Sequence, residues 1–139
     1  MTYIYSAFVQ AAFTANTDTL AIELDAAANA TLKIRRIRVS HGDGTQTTSA
    51  DYFREVRLIT ESVAGTGGVT YTPIPKDAND TASTATVKTG LATIGTVDKT
   101  IDSLSIHSTS DFFWQAADED DKIIVKPGAA FGIVVNPAN

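Results

Sequence analysis

Ser40, His41 and Asp43 place a hydroxyl, an imidazole and a carboxylate almost side by side. These are the side-chain types of a nucleophile, a general base and an orienting acid. Neighbours in an extended chain point to opposite faces, so Ser40 and His41 diverge instead of converging. Gly42 and Gly44 make the segment a turn, and no G-x-S-x-G elbow accompanies it. His41 therefore reads as a turn-edge histidine; the other histidine is His107. Carboxylates gather at Asp118, Glu119, Asp120 and Asp121, and again at Asp77 and Asp80. Loop carboxylates can hold calcium, and paired carboxylates can hydrolyse glycosides. The first cluster lacks the spacing of an EF-hand loop and reads more simply as a charged hairpin tip that discourages edge association. The pattern shows no aromatic-lined cleft for a sugar. The Gly-rich pieces at 41–44 and 64–68 carry no phosphate-loop Lys-Ser/Thr and read as turns. With no cysteine, thiol catalysis, disulfides and Cys-based zinc sites are excluded. The expectation is a chain that is not an enzyme and needs no cofactor or metal.

The elements that carry these residues are strands. Short apolar stretches at 19–25, 32–39, 52–63, 101–107, 111–117, 122–126 and 130–136 lack a helical rhythm, and several alternate with period two. In 19–25, Leu20, Ile22 and Leu24 face one way, and Thr19, Ala21, Glu23 and Asp25 the other. In 32–39 the phase slips between Ile34 and Ile37, which calls for a β-bulge or a strand that changes sheets. In 52–63, Val56 and Leu58 share one parity, and Arg54, Glu55, Arg57 and Glu61 suit cross-strand charge pairing on an exposed face. Phe112 and Trp114 share a core-facing parity. Phe113, opposite to them, is the candidate subunit contact, because aromatic anchors are typical of interfaces. Lys126-Pro127-Gly128-Ala129 fits a type II turn, with positive φ at the glycine. Tyr3, Tyr5, Ala7, Val9 and Ala11 alternate in an N-terminal strand pattern, which explains 1–15 better than a signal peptide does.

Between 69 and 100 the chain is mostly Thr, Ala, Gly, Asp and Pro. Pro73 and Pro75 forbid a central strand there. A connection of this length reads as a long excursion across the domain, with short pieces such as 84–88 adding edge strands. Counting the N-terminal segment gives about eight antiparallel strands with one long central connection, the strand complement of a jelly-roll β-sandwich. The 139 residues make a single domain, 1–139, large enough for its own core. Only 19% of residues are charged, and the net charge is −5. An acidic chain argues against nucleic acid as partner; Lys33, Arg35, Arg36 and Arg38 read as solvated strand faces. No apolar run approaches the roughly 20 residues of a membrane-spanning helix.

Several strings carry a resemblance. They are Lys33-Ile34-Arg35-Arg36-Ile37-Arg38-Val39, Glu55-Val56-Arg57-Leu58-Ile59-Thr60, and the run from Thr72-Pro73-Ile74-Pro75-Lys76-Asp77 through Asp80-Thr81-Ala82-Ser83-Thr84-Ala85. Phe113-Trp114-Gln115-Ala116 and Val125-Lys126-Pro127-Gly128-Ala129-Ala130-Phe131-Gly132-Ile133 complete the set. In order and spacing, residues 32–137 resemble the jelly-roll capsid decoration, or cement, proteins of tailed bacteriophages. The resemblance implies a virion protein on the outer capsid surface. It would bridge subunits of the major capsid protein and self-associate as a homotrimer. The excursion is then the natural contact element, with Thr72, Pro73, Ile74, Pro75, Lys76, Asp77 and Asp80 facing the partner and Tyr3 and Tyr5 beside them in rank. The other reading is a carbohydrate-binding or tail-associated phage module on the same sandwich, with Phe113 and Gln115 as its aromatic–polar pair.

Overall fold

A computed structural model describes residues 3–10, 17–40, 53–90, 93–107 and 110–137. His41 and Asp43 lie outside the described residues, as does the 41–44 turn. Twelve strands are described: β1 (Tyr5–Ser6), β2 (Thr19–Asp25), β3 (Leu32–Ile34), β4 (Arg36–Val39), β5 (Phe53–Val63), β6 (Val69–Tyr71), β7 (Ile74–Pro75), β8 (Thr86–Thr89), β9 (Thr96–His107), β10 (Phe112–Gln115), β11 (Ile123–Val125) and β12 (Ala130–Pro137). No helix occurs among the described residues. The fold is all-β, as the period-two patterning requires.

Six strands form the main antiparallel sheet, in the order β6-β8-β2-β12-β5-β9. β12 is central because its Phe131, Ile133 and Val135 face the core while Ala130, Gly132 and Val134 are also buried on the other side. Two-stranded pieces, β4 with β10 and β3 with β11, cover the core face. Ile34, Ile37, Phe112, Ile123 and Val125 from these pieces meet Ile22, Val56, Leu58, Val87, Phe131, Ile133 and Val135 of the main sheet in one apolar cluster. This two-layer packing is compatible with a β-sandwich.

The phase slip between Ile34 and Ile37 is a break at Arg35. Arg35 and Arg36 are both exposed, so Ile34 and Ile37 both reach the core. Along β4 and β3 the partners run Gln115 on Arg36, Ala116 N–H donating to Arg35 O at 2.9 Å, then Ile123 on Ile34. Residues 117–122 are thus looped out between β10 and β11. The acidic run is this loop and not a hairpin tip, and Asp118 Oδ1 closes it by accepting from Asp120 N–H at 2.8 Å. The 126–129 turn has the expected form: Ala129 N–H donates to Lys126 O at 3.1 Å, and Gly128 has φ of 73°.

Five further expectations are corrected. β8, within the long excursion, is no edge strand: it lies between β6 and β2. The strand expected from residue 101 begins at Thr96, and the N-terminal strand is only Tyr5–Ser6 among the described residues. The register of β2 against β12 shifts so that Ile133 pairs with Ile22 and Val134 with Leu20. The bulge at Ala21 turns Leu20 to the far face, where it packs with Ile59 and Val134, away from Ile22 and Leu24. Lastly, Glu61 and Arg54 are buried, not on an exposed face, and Glu23 is wholly buried as well.

Candidate functional site: an apolar docking face

The excursion and the N-terminal arm come together. β1 pairs with β7, placing Tyr5 opposite Pro75 and Ser6 opposite Ile74. Lys76 N–H donates to Ile4 O at 2.9 Å, and the Tyr5 hydroxyl donates to Thr81 O at 2.8 Å. Further along the arm, the Tyr71 hydroxyl grips the Phe8 backbone from both sides. It accepts from Phe8 N–H at 2.8 Å and donates to Phe8 O at 2.5 Å. Proline explains the arrangement: Pro75 has no N–H to give, so the excursion can pair here only as a two-residue edge piece. Asp77 Oδ1 accepts from Asn79 N–H at 2.9 Å and turns the chain behind it.

The result is an exposed face with apolar side chains from both segments. Tyr3, Ile4 and Ile74 are exposed, and Phe8 is 69% exposed. The Tyr3 and Tyr5 rings lie 6.4 Å apart at a tilt of 55°. Desolvation, and after it the Asp80 charge, raises the Tyr5 phenol above its ordinary range. Thr72, Lys76 and Asp77 are exposed around these residues, whereas Pro73 is buried and supports the turn from below. Phe113 stands apart from this face. It sits on β10 opposite Arg38 and is 58% exposed, near the Arg38–Asp111 ion pair of 3.4 Å. Gln115 is exposed on the same strand, and Phe112 is buried, as the parity requires.

A second cluster lies on the sheet face turned away from the main core, and the alternation of β2 and β5 gave no sign of it. Glu23 on β2 and Glu61 on β5 flank β12, both fully buried. Gly65 N–H donates to Glu23 Oε2 at 2.8 Å, and Gly95 N–H donates to Glu61 Oε1 at 2.7 Å. Lys88 Nζ lies 3.2 Å from Glu23 Oε1 and 2.7 Å from Asp25 Oδ2, and it donates to Gly65 O at 3.3 Å. Glu61 Oε2 and Asp25 Oδ1 are buried without a donor. Burial, then the Glu23 carboxyl, pushes Glu61 up to about 8. Burial alone would raise Glu23 too, but hydrogen bonds from Glu61, Gly65 and Lys88 bring it below its ordinary range. Burial raises Asp25 despite Lys88. Lys88 is raised because Asp25 and Glu23 outweigh the opposing effect of its burial. The signal that could have found the cluster is the pair of glycines 65 and 95, which mark close backbone approach. A Cβ on Gly95 would stand 2.0 Å from Val63 O, and one on Gly65 would stand 2.5 Å from Thr93 O.

Among the described residues no group of three or more His, Cys, Asp or Glu could hold a metal ion. A groove between β5, β9 and β11, lined by Ser62, Asp98, Lys99, Ile101, Asp121 and Ile124, is open to solvent. No protein-family model, curated protein or solved structure matches the chain.

Proposed function

We propose that this chain is a non-enzymatic virion structural protein that decorates the outer surface of an assembled phage capsid and stabilises it by bridging neighbouring subunits of the major capsid protein. The jelly-roll form of the sandwich and a homotrimeric state belong to the same proposal. One observation carries it: the arm and the excursion, far apart in sequence, pair through β1 and β7 and together expose the apolar side chains Ile4, Phe8 and Ile74. Exposed apolar side chains beside exposed polar residues such as Lys76 and Asp77 suit protein contact better than catalysis. A protein that binds only the assembled shell stabilises that shell by mass action. Three copies held about a symmetry axis would add their weak contacts through effective concentration.

The test is sedimentation. The purified chain is expected to run as a trimer and to co-sediment with assembled empty shells but not with unassembled capsid protein. Phe8→Ser with Ile74→Ser should abolish co-sedimentation while leaving the fold intact, as these side chains contribute little to the core. Point substitution is the right tool, because deleting the excursion would remove β8 from the interior of the sheet. Shell binding that survives the double change would end this assignment of the face. The exposure of Phe113 beside Gln115 favours a second reading, sugar binding by a tail-associated module. Glycan-array binding that disappears on Phe113→Ala would support it over the first.

A further inference from the structure

The buried carboxyls Glu23 and Glu61 serve neither the main core nor the docking face. They sit under two chain segments, residues 64–66 just before the excursion and 93–95 towards its end. Thr66 and Thr93 form an isolated antiparallel bridge there, with their hydroxyls 2.6 Å apart. Each segment is held down through a backbone N–H on a different carboxylate, Gly65 on Glu23 and Gly95 on Glu61. Gly132 on β12 leaves the space between: a Cβ at that position would reach 3.4 Å from Glu61 Oε2 and 2.7 Å from Leu20 Cδ1. Beneath the segments lie Leu20, Ile59 and Val134, with Ile94 packed on them.

The charges do not balance if every acid is ionised. β2 contributes Glu23 and Asp25, β5 contributes Glu61, and β8 contributes Lys88. β12 contributes only Ala130, Gly132 and Val134, and the covering segments contribute backbone and threonine hydroxyls. β9 sets Val97 opposite Glu61, with Asp98 and Lys99 next in sequence and exposed. Lys88 is engaged by Glu23 and Asp25, and among the described residues no ion pair reaches Glu61. The fully buried Glu61 Oε2 has no donor. A carboxyl in this position is satisfied by keeping its own proton and donating it, and the adjacent acceptor is the Glu23 carboxylate. A bare carboxylate there would be a second buried negative charge beside the first.

We propose that Glu23 and Glu61 form a proton-held latch: sharing one proton, they clamp residues 64–66 and 93–95 onto the sheet, and loss of that proton releases both segments and uncovers Leu20, Ile59 and Val134. The latch closes the base of the excursion, while β6 and β8 stay paired in the sheet. It is independent of the docking reading, since its test reads the two segments whatever binds the face.

The test is amide hydrogen exchange on the intact chain between about pH 6 and 9.5, corrected for the intrinsic rate, with side-chain carboxyl NMR shifts of Glu23 and Glu61 followed in parallel. Protection at Gly65 and Gly95 is expected to fall at least about tenfold across a carboxyl transition centred near 8, while Ile133 and Val135 amides keep theirs. Glu61→Gln, which cannot lose a proton, should hold both segments protected across the whole range. Protection independent of pH in the wild type would overturn the latch. So would a Glu61 carboxyl that titrates in the ordinary range, or a Glu61→Gln variant that opens with the same pH dependence. If the variant does not fold, the wild-type exchange and the carboxyl shifts still decide.

Discussion

At the scale of single residues, glycines decide what the far face of the sheet can hold. Gly132 lies on the central strand, with Leu20 on one side and Ile59 on the other, both in a cluster that has no slack. Adding one methyl there brings it to 2.7 Å from Leu20 Cδ1 and 3.2 Å from Ile59 Cγ1. Gly132→Ala is expected to cost about 1–3 kcal/mol by overpacking, read as a lower urea midpoint with an unchanged slope. In the main core, Phe131 is the largest wholly buried side chain. Phe131→Ala should cost about 3–5 kcal/mol, and the same urea titration checks it. The contrast is diagnostic: one position fails by excess volume and the other by a cavity, on opposite faces of the same strand.

At the scale of elements, the arm is tied to the sheet by hydrogen bonds and by Ala7 and Val9, which pack against the main core. The Tyr71 side chain reaches from β6 to both backbone groups of Phe8, and β1 adds a pairing of only two residues with β7. Tyr71→Phe removes the hydroxyl and should cost about 1–3 kcal/mol for the two bonds together. The visible consequence is local. Limited proteolysis should cut within residues 3–10 sooner than in the wild type, while the thermal transition of the sheet moves little. An arm as resistant as before would show that the β1–β7 pairing and the packing of Ala7 and Val9 hold it without the hydroxyl. At the opposite edge, β9 is exposed along most of its length but carries Asp98, Lys99 and Asp102, charges that discourage unwanted strand pairing.

At the scale of the whole molecule, the buried acids couple stability to pH. Glu61 holds its proton up to about 8 in the folded chain, against an ordinary 4.5. Between those values the folded chain binds a proton that the unfolded chain has released, so this group makes stability fall as pH rises through that window. Glu23 is lowered, so its contribution is present above the ordinary carboxylate range and is lost in acid as pH falls through its folded value. Lys88 is raised, and its contribution is lost only at strongly alkaline pH. The urea midpoint is therefore expected to drop from about pH 6 to about pH 9, and Glu61→Gln should flatten that drop. An equal drop in the variant would assign the pH dependence to other groups.

The order of residues was enough to establish an all-β chain, the buried Phe112 against the exposed Phe113, and the turn that needs positive φ at Gly128. These features depend on contacts between near neighbours and on local backbone sterics, which the order of residues specifies directly. Three others were decided only when distant strands met. A bulge at Ala21, set by the register with β12, sends Leu20 to the far face. Glu23 and Glu61 look like solvent-facing members of alternating strands, yet residues 64–66 and 93–95 close over them. Tyr5 and Pro75 become partners although β2, β5 and β6 of the main sheet lie between them in sequence. Register and coverage are properties of pairs of segments, so no single stretch of chain carries them, and they arise only from which strands the folded molecule brings side by side.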